Sequence, residues 1–198
     1  MHRIPNILSS IRILLSPVFL VLFFQDEFLW KAIGLAVYII AAITDYFDGY
    51  YARKYKTESD FGVFLDPLAD KFLTFSGFFV LPFIDPVQFP WWAIILIIIR
   101  DVIITLLRVY TKRKKKLMVT RTTAKIKTTV QMVFLYIGLA VGLFQGVDFF
   151  AGDWVRYILS TNILLYLMIF VTFVTVYSGI EYIYVNRSIF KSKASETT

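Results

Sequence analysis

The stretch DYFDGYYARKYKTESDFGVFLDPLAD at residues 45–70 places four aspartates between long apolar blocks. Asp45 and Asp48 are three residues apart, and Asp66 and Asp70 are four apart, so in helices each pair would lie on one face. Two helices meeting at these faces would direct four carboxylates toward one point. Because charged residues beside membrane spans are costly and therefore functional by default, we expect a functional site at this point.

The apolar blocks around this stretch have the lengths of membrane spans. The chain has 198 residues, of which 58% are hydrophobic, and its mean hydropathy is +0.69. A helix needs about 20 apolar residues to cross the hydrocarbon core. We predict an all-α integral membrane protein whose six transmembrane helices form a single domain over residues 1–190, followed by a polar tail at 191–198. The six segments are Ile7–Phe24, Ala32–Tyr51, Leu68–Phe83, Trp91–Tyr110, Ile126–Phe144 and Ile158–Tyr184.

Lysine and arginine are distributed unevenly between the two ends of these segments. The connections at 25–31, 84–90 and 145–157 carry few cations, whereas the other connections and both termini are rich in them. Since cationic loops stay on the cytoplasmic side, both termini and the aspartate stretch are predicted to face the cytoplasm from the cell membrane. The partly amphipathic segment Ile4–Arg12 is predicted to lie in the membrane interface before the first helix turns inward.

Residue types restrict the chemistry of the predicted site. The chain has no cysteine, and its one histidine is His2. Disulfides, thiolate zinc sites and internal histidine-based sites are therefore excluded. Any metal would be held by carboxylates, which favour hard ions such as Mg2+, Mn2+ or Ca2+. With the membrane character, the net charge of +7 favours anionic lipid or phosphorylated substrates over nucleic acid as partners.

Four neighbouring carboxylates need positive charge to offset their repulsion. Lysine and arginine side chains could neutralise them singly, whereas divalent metals gather carboxylates from facing helices directly. Gly49 and Ala52 share the face of the first aspartate pair and leave room for a ligand, although plain packing would use the same residue types. A cation transporter is the alternative from another class, but ion transport gives no reason for Arg53 beside these small residues.

A row of glycines marks the fifth segment. Gly138, Gly142 and Gly146 recur at four-residue spacing, which places small residues along one helix face. Such a face allows a second helix to pack closely against it. The partner helix is expected either within the chain or across a dimer interface.

The spacing of the aspartate stretch resembles the signature of the CDP-alcohol phosphatidyltransferase family. All eight positions match, and the six-segment layout extends the resemblance over nearly the whole chain. The matching residues are Asp45, Asp48, Gly49, Ala52, Arg53, Gly62, Asp66 and Asp70. The resemblance implies an enzyme that transfers a phosphatidyl group from a CDP-linked lipid to an alcohol and releases CMP. It also implies two divalent ions, Mg2+ or Mn2+, and a homodimer.

The resemblance also assigns roles by position. It implies that Asp45, Asp48, Asp66 and Asp70 bind the metals, and that Asp70 is also the base that takes the proton of the acceptor hydroxyl. The residues implied to bind the CDP-lipid, here CDP-diacylglycerol, are Asp48, Gly49, Ala52, Arg53 and Gly62.

Two further segments bear on the acceptor alcohol. The opening IPNIL at 4–8 and the stretch AKIKTTVQ at 124–131 are similar to those of family members that use sn-glycerol 3-phosphate. The candidate ligands of its phosphate are Arg100, Arg108, Arg121, Lys125 and Lys127. Arg100 equally suits a structural pair with Asp101, which stands where that subfamily has glutamate. Inositol phosphate, serine and phosphatidylglycerol remain alternative acceptors.

Overall fold

The computed structural model describes the backbone of residues 4–55, 60–113, 122–148 and 150–187, and the side chains of 9–44, 68–111, 122–148 and 150–187. The described residues form seven helices. These are α1 (Ile4–Phe23), α2 (Phe28–Tyr55), α3 (Asp60–Ile84), α4 (Trp91–Arg113), α5 (Thr122–Phe144), α6 (Phe150–Ser160) and α7 (Ile163–Val185). The all-helical fold class predicted from the sequence is confirmed for these residues.

The first five predicted segments fall within α1 to α5, apart from one residue at the end of the first. The sixth, Ile158–Tyr184, was wrong as a single helix, because α6 ends at Ser160 and α7 begins at Ile163. The hydroxyls of Ser160 and Thr161 donate to the carbonyls of Tyr157 and Ile158, at 2.7 and 2.6 Å. Such local bonds compete with the helical hydrogen bonds, and they favour a turn at this point.

A buried glutamine holds the two helices at this break. Gln88, in the connection after α3, is 3% exposed. Its Nε2 donates to the carbonyls of Leu159 and Thr161 at 3.1 and 2.6 Å, and its Oε1 accepts from the backbone N–H of Leu165 at 3.0 Å. One side chain therefore satisfies three backbone groups that the helix ends leave without helical partners.

Among the described residues, two helices are long and apolar enough to cross a membrane by length and composition, Thr122–Phe144 and Ile163–Val185. Shorter apolar stretches occupy Ser9–Phe23 and Phe28–Thr44. Large apolar side chains also point outward along the bundle, for example Leu14, Val21 and Phe173. A monomeric soluble protein rarely exposes contiguous apolar surface on this scale. The fold is consistent with a membrane protein.

The interior of the bundle contains buried apolar side chains from all seven helices. Its centre is aromatic and aliphatic, and its fully buried members include Phe19, Tyr38, Phe78, Leu81 and Leu139. The glycines of α5 face this interior. A Cβ at Gly138 would lie 2.6 Å from Cδ2 of Leu81, and one at Gly142 would meet Ile84. These two glycines therefore pack α5 against α3 within the chain, whereas Gly146 lies in open space.

Candidate functional site

The four aspartates of the opening stretch lie on two consecutive helices that pack against each other. Asp45 and Asp48 are near the end of α2, and Asp66 and Asp70 are near the start of α3. The side chains of the first three, and those of Gly49, Ala52, Arg53 and Gly62, lie outside the described residues. The backbone therefore gives each pair the helical spacing that the sequence predicted, and the side-chain geometry is described for Asp70 alone.

Asp70 forms an ion pair with the residue that follows it. Nζ of Lys71 lies 3.0 Å from Oδ2 of Asp70, and the Asp70 side chain is 39% exposed. The same ammonium group lies 3.7 Å from Oδ2 of Asp101 on α4. Lys71 thus stands between an accessible carboxylate and a second, buried one.

Asp101 is the centre of a charge cluster that joins three helices. Its side chain is 1% exposed and forms ion pairs with Lys127 on α5, with Arg100 at 3.0 Å and with Lys71 at 3.7 Å. Isolated carboxylates are too costly to bury without charged partners and hydrogen bonds. Counted over the described side chains alone and including Asp70, the cluster holds three cations and two carboxylates, an excess of one positive charge. An excess of positive charge in a partly enclosed position favours an anionic ligand.

Arg100 is held in place from two sides. Its Nη1 donates to Oδ1 of Asp101, and its Nη2 donates to Oγ of Ser178 on α7, each at 3.0 Å. A Cβ at Gly179 would lie 2.9 Å from Cγ of Arg100, so the glycine leaves room for the arginine stem. The guanidinium therefore has the structural partner that the sequence suggested in Asp101, and a second one on α7.

The candidate ligands of the acceptor phosphate do not all lie in one place. Arg100 and Lys127 come together around Asp101. Arg108 lies two helical turns further along α4, about 12 Å away along the axis, and its Cζ is 5.7 Å from the ring centre of Tyr182. Lys125 is exposed on α5. Arg121 lies outside the described residues.

Sequence reasoning missed Lys71 and the central position of Asp101. A signal was present for both, because each is a charged residue inside an otherwise apolar helix, where a partner is needed. Ser178 on α7 had no such signal, since a serine in an apolar helix bonds its own backbone as readily as a distant side chain.

The predicted metal site falls largely outside the described side chains. Among the side chains that are described, no three histidine, cysteine or carboxylate residues lie close enough to hold an ion together. The donor set still fits a hard divalent ion, because all four aspartates offer carboxylate oxygens and the chain has no cysteine.

Comparison with known proteins identifies the family. Residues 2–175 match the profile described as CDP-alcohol phosphatidyltransferase. The CDP-diacylglycerol–glycerol-3-phosphate 3-phosphatidyltransferase of Cereibacter sphaeroides is 36% identical, over 78% of this chain and 72% of the relative. The protein of the same name in Rickettsia typhi is 32% identical, over 90% of this chain and 95% of the relative. The chain therefore belongs to the CDP-alcohol phosphatidyltransferase family.

Proposed function

We propose that this protein transfers the phosphatidyl group of CDP-diacylglycerol to sn-glycerol 3-phosphate, giving phosphatidylglycerophosphate and CMP. The observation that carries the proposal is the complete eight-position aspartate signature on α2 and α3. The acceptor assignment is supported by the names of the two relatives, each of which aligns with most of the chain. Membership of this family leaves no ground for the cation-transport alternative.

In the proposed site, Asp45, Asp48, Asp66 and Asp70 hold two divalent ions, Mg2+ or Mn2+. When bound, such ions neutralise the charge of a diphosphate and stabilise the leaving CMP. The CDP-lipid is bound by Asp48, Gly49, Ala52, Arg53 and Gly62. The two glycines and the alanine leave space for it, and Arg53 pairs with the diphosphate.

Asp70 is the proposed general base. Its carboxylate is partly exposed, and so it is accessible to the hydroxyl of an acceptor arriving from water. Removal of the hydroxyl proton by Asp70 as the oxygen attacks the phosphorus would accelerate transfer by about 10²–10⁴-fold. The proton then resides on a carboxyl oxygen of Asp70, while CMP departs with the electrons of the broken phosphoanhydride bond.

Of the proposed ligands of the acceptor phosphate, Arg100 and Lys127 are two that lie together. Both lie in the cluster that contains Asp101, Lys71 and Asp70, so a phosphate held there would bring its hydroxyl toward Asp70. Arg108, Arg121 and Lys125 are the further candidates. Arg108 and Lys125 are exposed, whereas Arg100 and Lys127 are largely buried.

The proposed setting is the cell membrane, crossed six times by α1 to α5 and α7, with both termini and the aspartates facing the cytoplasm. This arrangement keeps the acyl chains of CDP-diacylglycerol in lipid while the nucleotide and the acceptor remain in water. Residues 1–190 form the single proposed domain, and residues 191–198 form the tail. Two copies of the chain form the proposed homodimer.

The test is an acceptor panel with the purified full-length protein in CDP-diacylglycerol micelles and Mg2+. Glycerol 3-phosphate, inositol phosphate, serine and phosphatidylglycerol are supplied in turn, and CMP release and the lipid product are measured. CMP release with glycerol 3-phosphate, accompanied by phosphatidylglycerophosphate, is the expected result. Failure with glycerol 3-phosphate, or faster turnover with another acceptor, would overturn the assignment.

A further inference from the structure

The buried carboxylate of Asp101 lies between the proposed phosphate ligands and the ion pair of the proposed base. On one side it contacts Arg100 and Lys127, the proposed phosphate ligands. On the other side it lies near Lys71, which pairs with the proposed base Asp70. Asp101 is not itself a proposed ligand of the acceptor phosphate, because a carboxylate repels an anion and its oxygens face Arg100, Lys127 and Lys71.

We propose that Asp101 is a positioning residue for the transfer reaction. It fixes the two phosphate-binding cations relative to each other, and through Lys71 it fixes the carboxylate of Asp70 relative to both. The inference rests on the proposed function, because it assigns Asp101 a role in the alignment of acceptor phosphate and acceptor hydroxyl.

The two oxygens of Asp101 have different partners. Oδ1 accepts from both Arg100 and Lys127. Oδ2 is buried and accepts no hydrogen bond within the described part of the chain, and Nζ of Lys71 lies 3.7 Å from it. Lys71 is therefore attracted to two carboxylates at once, at 3.0 Å by Asp70 and at 3.7 Å by Asp101. Asp101 thus limits where Lys71, and with it Asp70, can lie.

Stability alone is a poor explanation for this cluster. A buried ionic group adds little net stability compared with packed apolar side chains of the same size. Groups that align reacting atoms, in contrast, affect turnover strongly, because a misplacement of about 1 Å costs on the order of 100-fold in rate. Asp101 joins α3, α4 and α5 at the point where such alignment is needed.

The test compares Asp101→Asn with Asp101→Glu and the wild-type protein. Asparagine keeps the shape but removes the charge, whereas glutamate keeps the charge on a longer stem. For Asp101→Asn we expect a higher KM for glycerol 3-phosphate and a kcat lower by on the order of 100-fold, with the KM for CDP-diacylglycerol unchanged. Asp101→Glu is expected to recover most of the loss. Asp153→Asn on α6, where an exposed carboxylate pairs with Arg156 at 2.7 Å, is the matched control and should behave as wild type.

A merely structural role would give a different pattern. In that case Asp101→Asn would lower the melting temperature and the yield of folded protein, while kcat and both KM values per folded molecule stayed unchanged, and the proposal would be overturned. If Asp101→Asn does not fold, Lys71→Gln tests the proposal instead. It removes the ammonium group between Asp101 and Asp70 but keeps the ion pair of Asp101 with Lys127. A lower kcat with an unchanged KM for glycerol 3-phosphate is expected, and an unchanged kcat would overturn the proposal.

The same series separates this inference from the proposed function. An inactive wild-type protein with glycerol 3-phosphate refutes the proposed function itself. An active wild-type protein beside an Asp101→Asn variant of unchanged kinetics refutes the role of Asp101 alone.

Discussion

The ammonium group of Lys127 on α5 pairs with the carboxylate of Asp101 on α4, and the two side chains are 3% and 1% exposed. Both helices pack against α3 and α7. The pair therefore ties α4 to α5 inside the bundle, and it keeps two opposite charges away from solvent. Removal of either partner would leave the other charge buried with fewer neighbours to offset it.

Lys127→Met is expected to destabilise the protein by about 3 kcal/mol, because Asp101 loses the most buried of its three cationic partners among the described residues. Thermal unfolding in detergent would show a melting temperature lower by roughly 10 °C. Lys125→Met is the matched control, since Lys125 is exposed two residues earlier on the same helix. Equal melting temperatures for the two variants would show that the buried pair is not needed for stability.

Gly138→Val is expected to destabilise the protein by about 2 kcal/mol, because any Cβ at this position runs into the fully buried side chain of Leu81. α5 would have to move away from α3, or Leu81 would have to leave its rotamer. The measurement is again the melting temperature. Gly146→Val serves as control because nothing lies within 4 Å of a Cβ there. A large loss in the control, or none at Gly138, would contradict the packing of α5 on α3.

Gln88→Leu is expected to cost about 2 kcal/mol, because it removes three hydrogen bonds around the break between α6 and α7 and leaves buried backbone groups without partners. Hydrogen exchange should accelerate at the amide of Leu165 more than at the centre of α7. The exposed Gln25, whose side chain donates to the carbonyl of Val21 four residues earlier, provides the control Gln25→Leu. An unchanged exchange rate at the Leu165 amide in Gln88→Leu would argue against a stabilising role of the Gln88 side chain at this break.

The sequence predicted α1 to α5 well because apolar composition marks the length of each span. It did not predict the break at 161–162, because hydropathy stays high through Ile158 and Leu159 and again from Ile163. The break depends on hydroxyls that bond locally and on Gln88, which is distant in sequence. A composition window contains neither effect.

For the candidate site as well, local features were predictable from the sequence and contacts between helices were not. Helical periodicity placed each aspartate pair on one face, since it needs only the local spacing of residues. The cluster around Asp101 was not predictable, because it depends on how closely α3, α4 and α5 approach each other. The glycine row shows the same limit, since spacing gave the packing face of α5 and the structure gave its partners Leu81 and Ile84.

The proposed six spans can be tested with single cysteines, because the natural chain has none. Val87→Cys lies in the exposed connection between α3 and α4, and Ser195→Cys lies in the tail. In intact cells or oriented vesicles, a membrane-impermeant maleimide should label Val87→Cys from outside and Ser195→Cys only after permeabilisation. Labelling of both residues from the same side would contradict the proposed orientation.

The different roles proposed for Asp70 and Asp48 predict that Asp70→Asn and Asp48→Asn affect turnover and substrate binding differently. Asp70→Asn should lower kcat by about 10²–10⁴-fold, the usual contribution of a general base, and leave CDP-diacylglycerol binding largely intact. Asp48→Asn should also weaken the metal-dependent part of that binding, because Asp48 is proposed to bind both the metals and the CDP-lipid. CMP release measures turnover, and titration with CDP-diacylglycerol, with and without Mg2+, measures binding.

Asp148→Asn is the control for both aspartate variants, because its side chain is almost fully exposed and pairs only at 3.5 Å with Arg156. It removes one carboxylate without touching α2 or α3, so turnover and binding should match the wild-type protein. Full turnover by Asp70→Asn would remove Asp70 as the base. Loss of Mg2+-dependent binding to the same extent in both variants would contradict the proposed difference between Asp70 and Asp48 in binding of the CDP-lipid.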